Sequence, residues 1–233
     1  VGALRFPALK ANEIDAAFSA DSDIYGALFA LPFASTSNDY HTEIYATDMA
    51  GNETTVTLSF VIDSYKQLET TPKITASFVN EKFDEIMPGY EKRTGKKAEI
   101  DRHDDLGLAK AFRLINEEYR GVLEKILLEK MTKVGPGPIK WSGVFIKPMA
   151  SATSSKLGEK RHYMLNNADA GNSVHCGLDL ASVDHDAVHA TADGTVVMAE
   201  EFGIYGNAIL ISHGLGIFSL YGHLSSFEVK EGD

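Results

Sequence analysis

The run Gly135-Pro136-Gly137-Pro138 divides the sequence, because neither a helix nor a regular strand continues through it and the residue patterns on its two sides differ. Upstream, Leu108, Phe112, Ile115, Tyr119, Val122 and Ile126 follow one another at alternating spacings of four and three, which places all six on one face of a single amphipathic helix. Asp104 or Asp105 is the expected N-cap. A shorter helix is expected over Ser77–Met87, stopped by Pro88-Gly89. The stripe reads as core packing, since it is too short for the sustained heptads of a coiled-coil partner surface. Downstream of Pro138 glycine is frequent, and short β-type runs recur at Gly143–Ile146, Gly194–Met198, Ala208–Ser212 and Ile217–Tyr221. Gly, Asn and Asp turns separate them, as in an antiparallel sheet of short strands.

The first 65 residues have a third character, rich in Ala, Ser, Thr and Asp, with no Lys between Lys10 and Lys66. Thr55 to Ile62 alternates, with Val56, Leu58, Phe60 and Ile62 on one side and Thr55, Thr57 and Ser59 on the other, the period-two pattern of a strand with one buried face. Ile44-Tyr45-Ala46-Thr47 precedes it and runs through Asp48-Met49-Ala50-Gly51-Asn52, so the two strands read as a hairpin. The pair resembles the last two strands of bacterial immunoglobulin-like sandwiches. The expected organisation is multidomain and mainly β with a helical middle: residues 1–65 β-rich and Ig-like, 66–138 helical, 139–233 antiparallel β.

Charge and composition close off several functions. The formal net charge of −11 argues against a nucleic-acid surface, which needs clustered Lys and Arg to displace counterions. No apolar run approaches the ~18–20 residues of a membrane span; Ile24–Phe33 is interrupted by Gly26 and Pro32. The lone Cys176 permits no internal disulfide and no paired-cysteine metal site. The chain opens at Val1 and stops at Glu231-Gly232-Asp233, as a processed form or a fragment would.

Six of the eight histidines (His162, His175, His185, His189, His213 and His223) fall in the last 72 residues. His175 and Asp179 are four apart, and an imidazole and a carboxylate can hold one zinc ion if their donor atoms lie within roughly 3.5 Å of each other. A straight strand would separate them by about 13 Å, so the chain must bend between them. Gly177 is the expected place for that bend. A surface histidine beside a capping aspartate explains the same spacing. His223, after Gly222 at the end of an apolar run, is either a general acid–base group or a packed core histidine. His213, before Gly214, reads as structural, with a role in a substrate groove behind that. Cys176 reads as a thiol facing away from the two ligands.

Taken in order, these stretches resemble the lysostaphin-type (LytM-like) zinc endopeptidases of peptidoglycan. The residues that carry the resemblance are Phe145 and Pro148, Leu157-Gly158 with Arg161, and His175-x-Gly177-x-Asp179-Leu180-Ala181. They continue with Val188-His189-Ala190, Gly194-Thr195-Val196, Tyr205-Gly206-Asn207, His213-Gly214-Leu215-Gly216, Tyr221-x-His223-Leu224-Ser225 and Gly232-Asp233, about Phe145 to Asp233 in all.

The resemblance implies a zinc-dependent endopeptidase that cuts peptide cross-links or stems, in the periplasm or outside the cell of a bacterium. It implies His175 and Asp179 as zinc ligands and His223 as the catalytic histidine. His213, Tyr221, Asn207 and Arg161 would then line the substrate groove or support the ligands. The family closes its domain with a His-x-His pair, which supplies the third ligand and a second catalytic histidine. That segment is expected beyond Asp233. The competing reading is a LytM-like protein that has lost catalysis and regulates another wall hydrolase. A regulatory contact from the upstream residues is a further expectation, in which the acidic stretches Glu81–Glu85, Asp101–Asp105 and Glu117-Glu118 cover the metal. A solvated acidic surface is the simpler account of them.

Overall fold

A computed structural model of the chain describes residues 42–47, 50–59, 61–63 and 66–233. Most of the expected Ig-like domain, together with Ile24–Phe33, therefore lies outside the described residues. Its final hairpin is present: β1 (Thr42–Thr47) pairs antiparallel with β2 (Glu53–Leu58), with Thr42 opposite Leu58 and Thr47 opposite Glu53. Within β2 the buried face expected from the alternation is not seen at Val56 or Leu58; Ile62 is half-buried, and Phe60 lies outside the described residues. Every residue of β2 is exposed, Val56 at 51%.

The helical region starts from two short strands, β3 (Glu69–Thr70) and β4 (Lys73–Ile74). Helix α1 follows (Ala76–Thr94), capped by the Thr75 hydroxyl, which accepts the Phe78 N–H at 3.2 Å. It does not stop at Met87 as the sequence predicts but continues through Pro88. An internal proline costs about 3 kcal/mol. Burying Met87 and Tyr90, at about 1.5–3 kcal/mol for each large side chain, outweighs it. The Tyr90 ring also meets Tyr119 edge to face at 5.4 Å, and its hydroxyl donates to Glu118 at 2.7 Å.

Asp104 caps α2 (Asp105–Arg113), accepting the Gly107 N–H at 2.7 Å. Leu114–Tyr119 then forms a π-helical turn before α3 (Arg120–Val134), which ends at Gly135. This turn corrects the predicted stripe. Leu108, Phe112, Ile115 and Tyr119 are buried as expected, but beyond the turn the buried positions are Leu123 and Leu127, while Val122 and Ile126 are only half-buried. A wider turn consumes an extra residue, so the inward face moves one place along the sequence.

The remaining strands are β5 (Ala152–Ser155), β6 (Lys160–Leu165), β7 (Ala168–Val174), β8 (Asp179–Ala181), β9 (Thr195–Glu201), β10 (Asn207–Gly214) and β11 (Ile217–Leu224). The last three form an antiparallel sheet in the order β11-β10-β9, and Asp233 and Gly232 bond Val196 of β9 at 2.8 and 2.9 Å. Gly143–Ile146, read as a strand from sequence, is irregular and is held by the Ile146 N–H to the Thr191 carbonyl at 2.8 Å. Strand β6 pairs antiparallel with β7 and parallel with both β3 and β4. Glu69 opposite Lys160 and Lys73 opposite Met164 keep one register, so β3 and β4 are a single edge strand interrupted at Pro72, which has no N–H to give. The antiparallel expectation thus needs this parallel edge added.

One apolar cluster joins both sides of the Gly-Pro break. Val79, Tyr119 and Leu123 from the helices pack with Leu165, Met198 and Leu210 from the strands and with Phe202 from the β9–β10 connection. The connection after β9 is pressed against the helices at Gly203 (φ +57°), where a Cβ would lie 2.8 Å from Tyr119 Cε1 and 2.9 Å from Leu123 Cδ1. Gly203→Ala adds overpacking and left-handed strain together and is expected to cost about 1–3 kcal/mol in urea denaturation. An unchanged midpoint would show that this docking can relax freely.

Candidate active site

His175 leaves the end of β7, and Asp179 opens β8 four residues later. Between them the chain bends at Gly177. That bend does not draw on glycine's freedom, since Gly177 has no left-handed φ and no atom lies within 4 Å of a Cβ placed on it. The two side chains meet: His175 Nε2 is 3.3 Å from Asp179 Oδ1.

His175 is fixed from behind. Its N–H donates to the Glu159 carbonyl at 2.8 Å, and its own carbonyl accepts the Gly158 N–H at 2.7 Å. Its Nε2 is buried and has no hydrogen-bond partner, not even the carboxylate beside it. A buried imidazole nitrogen left unpaired costs on the order of 1–3 kcal/mol. The 3.3 Å separation matches the spacing of two donors around one tetrahedral ion with bonds of about 2.0–2.2 Å. The residues therefore fit a metal as a pair of ligands. Among the described residues, no group of three or more His, Cys, Asp or Glu side chains is placed to hold an ion by itself.

Behind Asp179 stands a charged network that sequence reasoning missed apart from Arg161. Arg161 Nη2 donates to Asp179 Oδ2 at 3.2 Å, to Ser155 Oγ at 2.5 Å and to Glu159 Oε2 at 3.2 Å. The Ser155 hydroxyl donates in turn to Glu159 Oε2, and Thr70 Oγ1 donates to Glu159 Oε1 at 2.7 Å. The Ser155 and Thr70 hydroxyls and the Arg161 guanidinium, against the opposing effect of burial, hold the Glu159 carboxyl at about 2. Burial alone would lower the Arg161 pKa, but its bonds to Glu159, Tyr163 and Asp179 raise it. Glu159 and Arg161 lie two apart on one face of an extended segment, a signal the sequence did carry; Thr70 carries none.

The other histidines divide sharply. His213 is fully buried, with Nδ1 bonded to the Asp193 carbonyl at 2.8 Å and Nε2 to Ser219 Oγ at 2.8 Å. Phe145 meets its ring edge to face at 5.0 Å. Ser219 donates to the Tyr221 hydroxyl at 3.0 Å, which donates to Thr191 Oγ1 at 3.1 Å and accepts the Thr191 N–H at 2.8 Å. His213 and Tyr221 thus form one internal strut. Asn207 ties the start of β10 to the Ser225 carbonyl at 3.3 Å. His223 is exposed near the end of β11 with φ +58°, packed beside the Gly206 turn. Among the described residues, no hydrogen bond or ion pair joins it to His175 or Asp179. Cys176 is exposed, its thiol donating to the Val174 carbonyl at 3.4 Å.

The acidic stretches are engaged elsewhere. Asp84 pairs with Arg102 at 2.8 Å, Glu118 with Tyr90, and Glu117 accepts the Asn172 N–H at 2.9 Å. None of them pairs with His175 or Asp179.

Residues 173–233 match the model for peptidase family M23. The likeness read from the sequence is borne out over that segment. Similar curated proteins are the DD-carboxypeptidase/endopeptidase Mpg of Neisseria meningitidis, at 36% identity over 92 residues, and its namesake in Neisseria gonorrhoeae, at 35%. The match covers 39% of this chain and 20% of each of them, so the chain spans about a fifth of the length of the curated relatives it matches. A crystal structure assigned to peptidase M23 from Pseudomonas aeruginosa aligns with 99% of this chain and 70% of that one. At 15% identity and a TM-score of 0.49, that likeness is too slight to argue from. Among the described residues, no helix is long and apolar enough to cross a membrane.

Glu159 yields a prediction about stability. Its folded value of about 2 lies below the usual 4.5, so its contribution is complete above about 4.5 and is lost as pH falls through about 2. Glu159→Gln is expected to lower the melting temperature at neutral pH, with the deficit shrinking as acid protonates the wild-type carboxylate. A deficit that stays constant from pH 6 to pH 2 would contradict this.

Proposed function

We propose that this protein is a zinc-dependent endopeptidase acting on the peptide cross-links or stems of bacterial peptidoglycan, in the periplasm or outside the cell. The observation that carries the reading is the buried, unpartnered Nε2 of His175 set 3.3 Å from Asp179 Oδ1. The M23 match and the Mpg relatives supply the substrate class.

His175 and Asp179 would hold the metal, with any further ligand drawn from outside the described residues. When bound, such an ion polarises a scissile carbonyl and lowers the pKa of attacking water. The chain's own residues do the rest. One neutral imidazole and one carboxylate leave a divalent site net positive, which favours an anionic nucleophile and a developing oxyanion. His223, exposed at the end of its strand, can take a proton from the nucleophile at an imidazole nitrogen and return it to the leaving amine. The Gly206 turn beside it has φ +61° and ψ −147°, a conformation essentially reserved for glycine, which fixes the strand end that carries His223. The strut of His213, Ser219, Tyr221 and Thr191 holds β10 and β11 to the loop before β9, keeping the sheet rigid under that histidine.

His175→Ala and Asp179→Ala are each expected to abolish release of soluble fragments from purified peptidoglycan, without rescue by added zinc. Full activity in either variant would overturn the reading. Bound zinc near one per chain in the wild type supports the enzyme. A value near zero, with wild-type protein stimulating another wall hydrolase, would replace it with the regulatory alternative. His223→Ala is expected to lower turnover by about 100-fold or more while leaving bound zinc unchanged.

A further inference from the structure

We propose that Arg161 is a positioning residue for the metal ligand Asp179, held in turn by the edge strand at Thr70 through Glu159. This rests on the metal-site reading above and adds to it a support that lies entirely outside residues 173–233.

Asp179 needs such support. It sits on a three-residue strand paired only with β5, and its side chain is 49% exposed. A carboxylate so placed turns freely unless something holds one oxygen. Arg161 holds Oδ2, and that leaves Oδ1 as the oxygen facing His175 Nε2. The guanidinium is itself immobilised, because Ser155 Oγ and Glu159 Oε2 accept from the same nitrogen. Glu159, whose side chain is 11% exposed, is anchored on its other oxygen by Thr70. A continuous series of polar contacts therefore runs from β3 through the turn before β6 to β8.

The same turn also holds the other ligand. Gly158 and Glu159 bond the His175 backbone on both sides, while Gln67 Nε2 donates to the Gly158 carbonyl at 2.8 Å. Gln67 and Thr70 thus clamp, from one short segment, the turn that bonds the His175 backbone directly and reaches the Asp179 side chain through Arg161. Exposed ion pairs contribute little to stability on their own. What this arrangement fixes is orientation, and residues that orient metal ligands typically govern metal affinity by 10–100-fold.

The test is zinc affinity in the intact protein, measured by competition with a chromogenic chelator, alongside the visible spectrum of the cobalt-substituted form. Arg161→Met is expected to weaken zinc 10–100-fold and to change the cobalt bands, with the melting temperature of the metal-free protein little altered. Arg161→Lys keeps the charge but puts it on a flexible ammonium in place of the planar guanidinium, and should recover only part of the affinity. Thr70→Val should weaken zinc by a few-fold in the same direction. Should Arg161→Met fail to fold, Arg161→Lys and Thr70→Val carry the test. His175→Ala and Asp179→Ala separate the two levels of the argument. If both bind zinc like the wild type, the metal-site reading falls. If both lose zinc while the Arg161 variants bind within twofold of the wild type and keep its cobalt spectrum, the positioning role of Arg161 falls and the site stands. Wild-type affinity in Thr70→Val alone removes the edge strand from the proposal.

Discussion

Two backbone hydrogen bonds, from His175 to Glu159 and from Gly158 to His175, decide where the imidazole sits, and the rest of the site is arranged around them. They extend the β6–β7 ladder beyond its last strand residues, so the position of His175 is inherited from a sheet rather than from a loop. The ladder is rigid because β6 is paired on both edges, by β7 and by the interrupted strand of β3 and β4. A histidine on a free loop would carry the same chemistry with far less precision.

The helices matter to the site through that sheet. Phe112 of α2 meets Tyr163 of β6 at 4.9 Å, Arg113 pairs with Asp169 of β7 at 2.9 Å, and Glu117 holds the Asn172 N–H. The cluster around Tyr119, Leu123 and Phe202 then ties the β9–β10 connection to the same helices. The helical region thus supports the β6–β7 pair that carries His175 and also the sheet that carries His223. A fragment beginning at Lys140 would lose the edge of β6 and most of the buried apolar cluster, so its activity would report on folding as much as on inhibition. That makes single substitutions at Thr70 and Arg161 the cleaner probes of what the upstream residues contribute.

Much of this was legible in the residues. The period of the Leu108–Ile126 stripe gave helix, the Asp104-Asp105 pair its start to within one residue, Gly135-Pro136 its end, and the runs at 194–198, 208–212 and 217–221 gave three strands. The failures have physical causes. The π turn at Leu114–Tyr119 shifted the buried face by one residue, which no fixed-period reading detects. Pro88 was overruled by burial on both sides of it, a tertiary effect. The edge strand was invisible because its two pieces are two residues long and separated by Pro72, so neither alternation nor propensity marks it. The pairing of His175 with Asp179 could be posed from their spacing but needed coordinates to be seen. Of the network behind it, Arg161 and its spacing from Glu159 were there to be read, but the anchor at Thr70 could not be posed, since Thr70 and Glu159 are 89 residues apart.

The contrast between two buried imidazole nitrogens is the strongest argument about what the site is for. His213 is more deeply buried than His175, yet both of its nitrogens are bonded, and it serves as a strut. His175 shares the setting of sheet, burial and neighbouring polar groups, but its Nε2 faces a carboxylate without bonding it. A fold that satisfies one histidine completely shows that it has the means to satisfy another. Arg161 holds Asp179 by Oδ2 in the orientation that leaves Oδ1 beside Nε2 without a bond. The chain therefore sustains an unpaired donor pair at a cost of about 1–3 kcal/mol, a cost that coordination to a shared cation would offset.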